Sequence, residues 1–226
     1  MVAQPVEQTP ADLAPAEEHT LSIREQRVLL DNVSWDLFER ILVEDVDRRV
    51  PRLAYDDGAL EFMTPSRLHE SIDRTLTSLA AILIDVWRMD LIECGAMTMS
   101  RAVANVGLEP DSSFFIQHAA EARRNRDSVF PEGFPPDLVI EVEISRSLVE
   151  RLPLLAAMGV PEVWRATSDT VAILTLSGHE YRHAPSSAAL PGLTPEKLQE
   201  FMTLSQNVTR SQWADAVRTW AAAIRT

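Results

Sequence analysis

The spacing of apolar residues predicts two amphipathic helices in the first half of the chain. One follows Ser34, and a longer one begins at Ser66 and ends near Arg88, because serine is favoured at helix N-termini. The longer helix places five apolar side chains on one face, namely Ile72, Leu76, Leu79, Leu83 and Val86. At about 1.5 Å per residue it spans roughly 33 Å, which is long enough to cross a whole β-sheet.

Shorter apolar runs, separated by turn residues, predict a set of β-strands. A hairpin is expected at residues 52–63, because Asp57-Gly58 supplies the positive φ angles of a tight turn. Polar residues at 119–134 predict a loop. Further strands are expected at residues 91–93, 97–103, 113–117, 137–144, 162–166 and 171–176, the last continuing into a hairpin that ends near His183.

Three more helices are predicted in the second half of the chain, at residues 148–158, 195–202 and 211–225. Gly159 is suited to end the first of these helices, while Pro153 moves its expected start towards Leu152 or predicts a kink. The order of helices and strands predicts an α/β fold in which one mixed central β-sheet is flanked by helices.

Composition places most of the net charge near the N-terminus. The 226 residues have a formal net charge of −13, and residues 1–47 hold 11 of the 34 acids but only 3 of the 21 bases. Residues 1–22 also contain Pro5, Pro10 and Pro15 without apolar periodicity, which predicts a disordered acidic tail. The remaining residues hold 23 acids and 18 bases, a net charge of −5 that argues against tight nonspecific binding to nucleic acid.

Two further properties restrict the class of protein. Cys94 is the single cysteine, which excludes an intrachain disulfide and a cysteine-rich zinc site. No apolar run approaches the roughly 20 residues of a membrane span, and the N-terminus lacks the pattern of a signal peptide. We therefore expect a cytoplasmic protein without membrane association.

The clearest predicted strand, at residues 137–144, carries two acids on one face. Alternation directs Glu141 and Glu143 to the face opposite Leu138 and Val142. The two carboxylates would lie about 7 Å apart and repel each other by roughly 2 kcal/mol at an effective dielectric constant near 20. Two explanations stay open: the acids bind a divalent cation such as Mg²⁺ or Mn²⁺, or they lie at a solvent-facing edge with arginine partners.

Another acid precedes the strand predicted at residues 113–117. Asp111 follows Glu109-Pro110 and would converge with Glu141 on one metal ion if their strands are neighbours. A Pro-Asp turn explains the same residues without any function. From the spacing alone, both interpretations stay open.

Four segments of the chain carry a family resemblance. They read LEFMTPSRLHE at 60–70, GLEPD at 107–111, PDLVIEVEI at 136–144 and RLPLLAAMGVPEVWR at 151–165. In this order they resemble the Uma family of restriction endonuclease-like proteins, within the PD-(D/E)xK nuclease superfamily. The resemblance implies a restriction endonuclease-like domain at 23–205, preceded by the tail at 1–22 and followed by a C-terminal helix at 206–226.

The resemblance also implies metal-dependent hydrolysis of DNA. Asp111 matches the Asp of the family's Pro-Asp motif and Glu141 the acid of its second motif. Both would bind Mg²⁺ or Mn²⁺ together with the backbone carbonyl of Val142. Glu61 and His69 match an N-terminal Glu and His, so Glu61 would reach the metal through water and His69 would contact the scissile phosphate or carry a proton. DNA is the implied substrate, and homodimers are frequent in the superfamily.

One position departs from the superfamily pattern. A lysine is expected two residues after the second acid, but Glu143 occupies this position and the single lysine, Lys197, is distant in sequence. Arg151 stands where many relatives have a lysine, and it is the candidate for the missing positive charge. Because arginine stays protonated, it stabilises charge but does not act as a base.

These observations lead to three hypotheses about function. The first is a Mg²⁺- or Mn²⁺-dependent endonuclease whose catalytic residues are Glu61, His69, Asp111, Glu141, Glu143 and Arg151. The second is a catalytically weak or inactive family member that binds DNA or a protein, and the third is hydrolysis of a smaller phosphate ester. Two weaker candidates are a metal site at His179 and His183 and a phosphate contact at Arg123, Arg124 and Arg126.

Overall fold

The computed structural model describes residues 25–44, 51–125 and 134–224, so the predicted tail at 1–22 lies outside the described residues. The α-helices in these ranges are α1 (Trp35–Glu44), α2 (Arg67–Val86), α3 (Ala119–Arg124), α4 (Arg151–Met158), α5 (Pro195–Ser205) and α6 (Arg210–Ala223). The strands are β1 (Gln26–Leu30), β2 (Arg52–Asp56), β3 (Ala59–Thr64), β4 (Ile92–Glu93), β5 (Met99–Arg101), β6 (Val106–Leu108), β7 (Ser112–Phe115), β8 (Leu138–Val142), β9 (Glu162–Ala166), β10 (Val171–Ser177) and β11 (Glu180–His183). No helix in the described ranges is long and apolar enough to cross a membrane.

The strands form two sheets. The larger sheet has the order β11-β10-β9-β8-β7-β4 and is mixed, because β8 and β9 are parallel whereas its other neighbouring strands are antiparallel. The smaller sheet, in the order β1-β3-β2-β6-β5, is antiparallel throughout. The expected α/β fold with a mixed sheet and flanking helices is confirmed, and the smaller sheet is an addition to it.

Helix α2 covers one face of the larger sheet, where the main hydrophobic core lies. The apolar stripe of α2 is buried there, with Leu76, Leu79 and Leu83 fully inaccessible to solvent. Helix α6 packs on α2 and adds Trp213 and Val217 to the same core. The C-terminal helix is therefore part of the folded body.

The opposite face of β8 lies towards α4 and the smaller sheet. Val139 of β8 belongs to one core cluster with Leu154 of α4 and Leu108 of β6. Because side chains alternate along a strand, Glu141 projects to the same face as Val139. The acid of β8 therefore points into the region where elements of both sheets meet.

Three local predictions differ from the structure. The strand expected at 97–103 is wrong beyond Arg101, because a 3-10 turn and Asn105, with a φ of 54°, redirect the chain into β6. The loop expected at 119–134 is wrong at its start, where α3 forms, and residues 126–133 lie outside the described part. The strand expected at 137–144 ends at Val142.

Helix α4 shows how a proline is accommodated close to the site. The helix begins at Arg151, so Pro153 lies in its first turn, where the missing N–H would have no intrahelical partner. Gly159 ends the helix with a φ of 80°, a conformation that glycine adopts without steric strain. The late start that Pro153 predicts is confirmed, and it makes Arg151 the first residue of the helix.

Candidate active site

Elements of both sheets bring five charged or titratable side chains together. Arg52 opens β2, His69 lies in the first turn of α2, Glu141 belongs to β8 and Arg151 begins α4, while Asp111 lies in the connection from β6 to β7. All of them are buried: Arg151 has a side chain that is 9% exposed, and the other four residues are at most 5% exposed. Charges at this depth need partners, so their contacts define what the site can do.

Asp111 is held at both carboxylate oxygens. Its Oδ2 accepts a hydrogen bond of 2.6 Å from the backbone amide of Val142, the residue after Glu141. Its Oδ1 accepts a hydrogen bond from Arg52 and lies 2.9 Å from Nε2 of His69. The two acids that were expected to share a metal ion are therefore brought into one region, where Arg52 and His69 contact Asp111.

Glu141 forms a buried ion pair with Arg151. Nε of Arg151 lies 2.7 Å from Oε2 of Glu141, and Nη2 donates to the carbonyl of Glu109. Among the described residues, Oε1 of Glu141 and Nη1 of Arg151 have no hydrogen-bond partner. Burial raises the pKa of Glu141, although Arg151, Arg52 and His69 act in the opposite direction. The ion pair is thus incompletely satisfied on both sides.

Glu25 fixes the position of His69. Its Oε1 contacts Nδ1 of His69, while Oε2 accepts hydrogen bonds from the amide of Ser145 at 2.9 Å and from Arg27 at 3.0 Å. Burial alone would raise the pKa of Glu25, but the hydrogen bonds from His69, Ser145 and Arg27 lower it to about 2. Because Glu25 contacts Nδ1 of His69, the other ring nitrogen, Nε2, faces Asp111.

The carboxylate of Glu61 contacts the segment that leads into α4. It accepts hydrogen bonds from the backbone amides of Leu148 and Val149, the latter at 3.1 Å, and it pairs with Arg27. Glu61 is fully buried. These contacts hold the chain just before Arg151, whereas a contact of Glu61 with a metal ion through water stays a prediction.

Glu143 follows the end of β8 and pairs with Arg165 of β9. Nε of Arg165 donates to Oε2 of Glu143 at 3.1 Å, and both side chains are partly exposed. Together with Glu141 and Arg151 they line a pocket. Both glutamates therefore have arginine partners, as expected if they lay at a solvent-facing edge without a metal ion. Glu141, however, is buried and does not face solvent.

Lys197 lies away from these acids. On α5, its Nζ is 5.5 Å from the ring centre of Phe201 and 5.8 Å from that of Trp220. Both aromatic residues pack in the core on the other face of the larger sheet. The positive charges beside the two buried acids are those of Arg52 and Arg151.

Sequence reasoning missed Glu25, Arg27 and Arg52. Arg52 could have been found from the sequence, because Leu53, Ala54 and Tyr55 follow it in the strand and a buried charge there requires a partner. Glu25 and Arg27 have no such signal, because they border the acidic tail and belong to a segment whose other side chains are mostly exposed.

The weaker candidates that the described ranges include lie at the surface, and their roles stay predictions. His179 and His183 are both exposed at the β10–β11 hairpin, and they belong to no group of three or more potential metal ligands there. Arg123 pairs with Asp90 at 2.8 Å on the surface, and Arg126 lies outside the described residues.

Oxygen atoms suited to a divalent cation are available at Asp111 and Glu141. Mg²⁺ and Mn²⁺ prefer oxygen ligands, and a cation would satisfy the unpartnered Oε1 of Glu141. The peptide of Val142 faces Asp111 through its amide. No group of three His, Cys, Asp or Glu side chains forms a preassembled metal site in the described part of the chain. The two carboxylates therefore offer oxygen ligands to a cation, and each of them is paired with an arginine.

Comparisons with known proteins bear on the family of the chain. No curated protein matches it. The solved structures that resemble it include the crystal structure of "a putative nuclease belonging to DUF820" from Anabaena variabilis ATCC 29413. That match has a TM-score of 0.49 and 16% sequence identity, and it covers 71% of this chain and 98% of that chain. The profile of the Uma2 family, described as "Putative restriction endonuclease", matches residues 35–207. The chain therefore belongs to the Uma2 family.

Proposed function

We propose that the chain is a nuclease that requires Mg²⁺ or Mn²⁺ and hydrolyses phosphodiester bonds of DNA. The proposed ligands of the cation are the carboxylates of Asp111 and Glu141 and the backbone carbonyl of Val142. Membership in the Uma2 family supports nuclease activity. The observation that carries the assignment to these residues is the hydrogen bond from the Val142 amide to Asp111, because it places the buried Asp111 beside the residue that follows the buried Glu141.

Each of the proposed residues has a task in hydrolysis. When bound, the cation supplies Lewis-acid polarisation of the phosphate and neutralises developing negative charge. Asp111 and Glu141 hold and orient it. His69, kept in place by Glu25, presents Nε2 beside Asp111, where it can hold or pass a proton. Arg151 supplies a fixed positive charge for a phosphate oxygen.

Glu143 occupies the position of the superfamily lysine, so the positive charge that the lysine would supply must come from other residues. Arg52 contacts Asp111 and Arg151 contacts Glu141, so two guanidinium groups lie beside the proposed ligands. Because a guanidinium group stays protonated, these arginines stabilise charge but do not act as bases. Proton transfer by a side chain is therefore assigned to His69.

Nicking of supercoiled DNA tests the proposal. The protein is incubated with plasmid in Mn²⁺, in Mg²⁺ or in EDTA, and Asp111→Asn and Glu141→Gln are compared with the wild type. We expect metal-dependent nicking that each variant reduces by at least about 100-fold, as when one electrostatic group of an active site is removed. Asp215→Asn, which changes an exposed acid on α6, is the matched control and should retain activity. Nicking that persists in both site variants would show that other residues hold the metal.

A binding module without catalysis is the second candidate function. One observation favours it: both buried acids are already paired with arginines, which satisfies their charge without a metal ion. Such a protein would bind DNA or a protein partner and would need no cation. DNA binding without nicking in either metal supports this function, whereas metal-dependent nicking that Glu141→Gln abolishes excludes it.

A further inference from the structure

The ion pair between Glu141 and Arg151 leaves buried polar atoms of both side chains without a hydrogen bond. The side chains are only 7% and 9% exposed, so water reaches little of either. Among the described residues, Oε1 of Glu141 lacks a donor and Nη1 of Arg151 lacks an acceptor, and Nε of Arg151 makes no hydrogen bond although it lies 2.7 Å from Oε2 of Glu141. An unpaired buried polar atom is unfavourable, and the pair retains such atoms on both the acceptor side and the donor side.

The neighbouring pair of Arg52 and Asp111 is satisfied. Arg52 contacts Asp111, donates to Glu70 at 2.9 Å and lies 3.0 Å from Nε2 of His69. Both carboxylate oxygens of Asp111 also have partners. Of the two buried pairs, the one formed by Arg151 therefore has the atoms that are available to a new ligand.

The chemistry of the carboxylate and the guanidinium group defines the ligand. Glu141 and Arg151 line the same pocket, together with Ser147, Glu150 and Arg165. An unsatisfied carboxylate oxygen favours a cation, and an unsatisfied guanidinium N–H favours an anionic oxygen. A divalent cation and a phosphate group, bound side by side, satisfy the carboxylate and the guanidinium group at once.

We infer that Arg151 is the resting counter-ion of Glu141, and that the site exchanges this ion pair for a divalent cation and a phosphate group. The cation takes the place of Arg151 at Glu141, and the released guanidinium binds a phosphate oxygen. Because each ligand satisfies the group that the other displaces, the cation and the phosphate bind with positive coupling. This inference rests on the proposed function, since it takes Glu141 as a metal ligand.

Titration with Mn²⁺ measures this coupling. The affinity for Mn²⁺ is determined by electron paramagnetic resonance at about pH 8, with and without short single-stranded phosphorothioate DNA. We expect the DNA to raise the affinity of the wild type for Mn²⁺ at least about fivefold, the lower end of typical coupling between two sites. Methylphosphonate DNA of the same sequence lacks backbone charge, and it should leave the affinity unchanged.

Two substitutions of Arg151 separate charge from structure. Arg151→Met removes the charge but keeps a long side chain, so it should bind Mn²⁺ at least about fivefold more tightly than the wild type and lose the effect of the DNA. Arg151→Lys keeps the charge and should bind Mn²⁺ like the wild type. Arg218→Met, on the exposed surface of α6, controls for the change in net charge. Circular dichroism verifies that each variant is folded.

The possible outcomes distinguish this inference from the proposed function. One outcome is that Asp111→Asn abolishes Mn²⁺ binding, whereas Arg151→Met leaves it unchanged or weakens it. This outcome would overturn the proposed exchange but would support the proposed metal site. If Arg151→Met does not fold, the coupling between Mn²⁺ and phosphorothioate DNA in the wild type decides, and its absence overturns the exchange. A wild type that binds no Mn²⁺ would overturn both.

Discussion

Replacement of Glu25 by glutamine removes the negative charge that holds His69. The pKa of Glu25 is about 2, compared with an ordinary value of 4.5, and its side chain is fully buried. At about 1.4 kcal/mol for each pKa unit, the ionised group contributes about 3 kcal/mol to stability near neutral pH. We therefore expect Glu25→Gln to lower the free energy of unfolding at pH 7 by about 3 kcal/mol, in the range measured for breaking a buried ion pair.

The lowered pKa also gives the sign of the pH dependence. Above about pH 4.5 the carboxyl is ionised in both the folded and the unfolded protein, and its contribution to stability is complete. As the pH falls towards 2, the unfolded protein takes up the proton first, so the contribution is lost. The difference in stability between the wild type and Glu25→Gln should therefore shrink as the pH is lowered from 7 to 3.

Urea unfolding followed by tryptophan fluorescence at several pH values between 7 and 3 provides the measurement. Glu39→Gln, an exposed position on α1, is the matched control and should change stability by no more than about 0.5 kcal/mol. A difference between the wild type and Glu25→Gln that stays constant over this range would refute the reasoning, because it would show that the ionisation of Glu25 is not its source.

Three further substitutions test other buried contacts. Burial raises the pKa of Asp73, so its contribution to stability is lost as the pH rises, and Asp73→Asn should gain stability relative to the wild type between pH 4 and pH 8 in urea unfolding. A constant difference would contradict this expectation. Glu61→Gln weakens the acceptor of the Leu148 and Val149 amides, so we expect a loss of about 3 kcal/mol and faster hydrogen exchange at both amides, whereas unchanged protection would argue against the contact. Gly107→Ala places a methyl group into the ring of Phe38 and should cost about 1–3 kcal/mol in thermal unfolding, with partial recovery when Phe38 is also replaced by leucine. No recovery in the double variant would place the cause elsewhere.

Local periodicity accounts for the parts of the fold that the sequence predicts well. The stripe of apolar residues on α2 and the effect of Pro153 on α4 depend on neighbouring residues, and both are confirmed. Strand β1 depends on pairing with β3, at a separation of 30 to 38 residues, and its exposed side chains leave no alternating pattern. The turn at Asn105 depends on a left-handed backbone conformation. It could not be predicted, because the residues on either side are apolar and resemble a strand.

Only part of the candidate site could be predicted from the sequence. Sequence motifs select Asp111, Glu141 and His69, and the structure brings these three residues together. Their partners Arg52 and Glu25 could not be assigned from spacing, because each contact joins elements that are distant in sequence and meet only in the folded chain. The acids of the site are therefore readable from the sequence, whereas the charges that neutralise them require the structure.

A crystal structure of the protein with Mn²⁺, located by its anomalous scattering, is the most direct test of the proposed metal site. We predict an anomalous peak within about 2 Å of a carboxylate oxygen from each of Asp111 and Glu141. The same structure should show Arg151 withdrawn from Glu141. A Mn²⁺ ion bound elsewhere, or held by only one of the two acids, would contradict the proposed site.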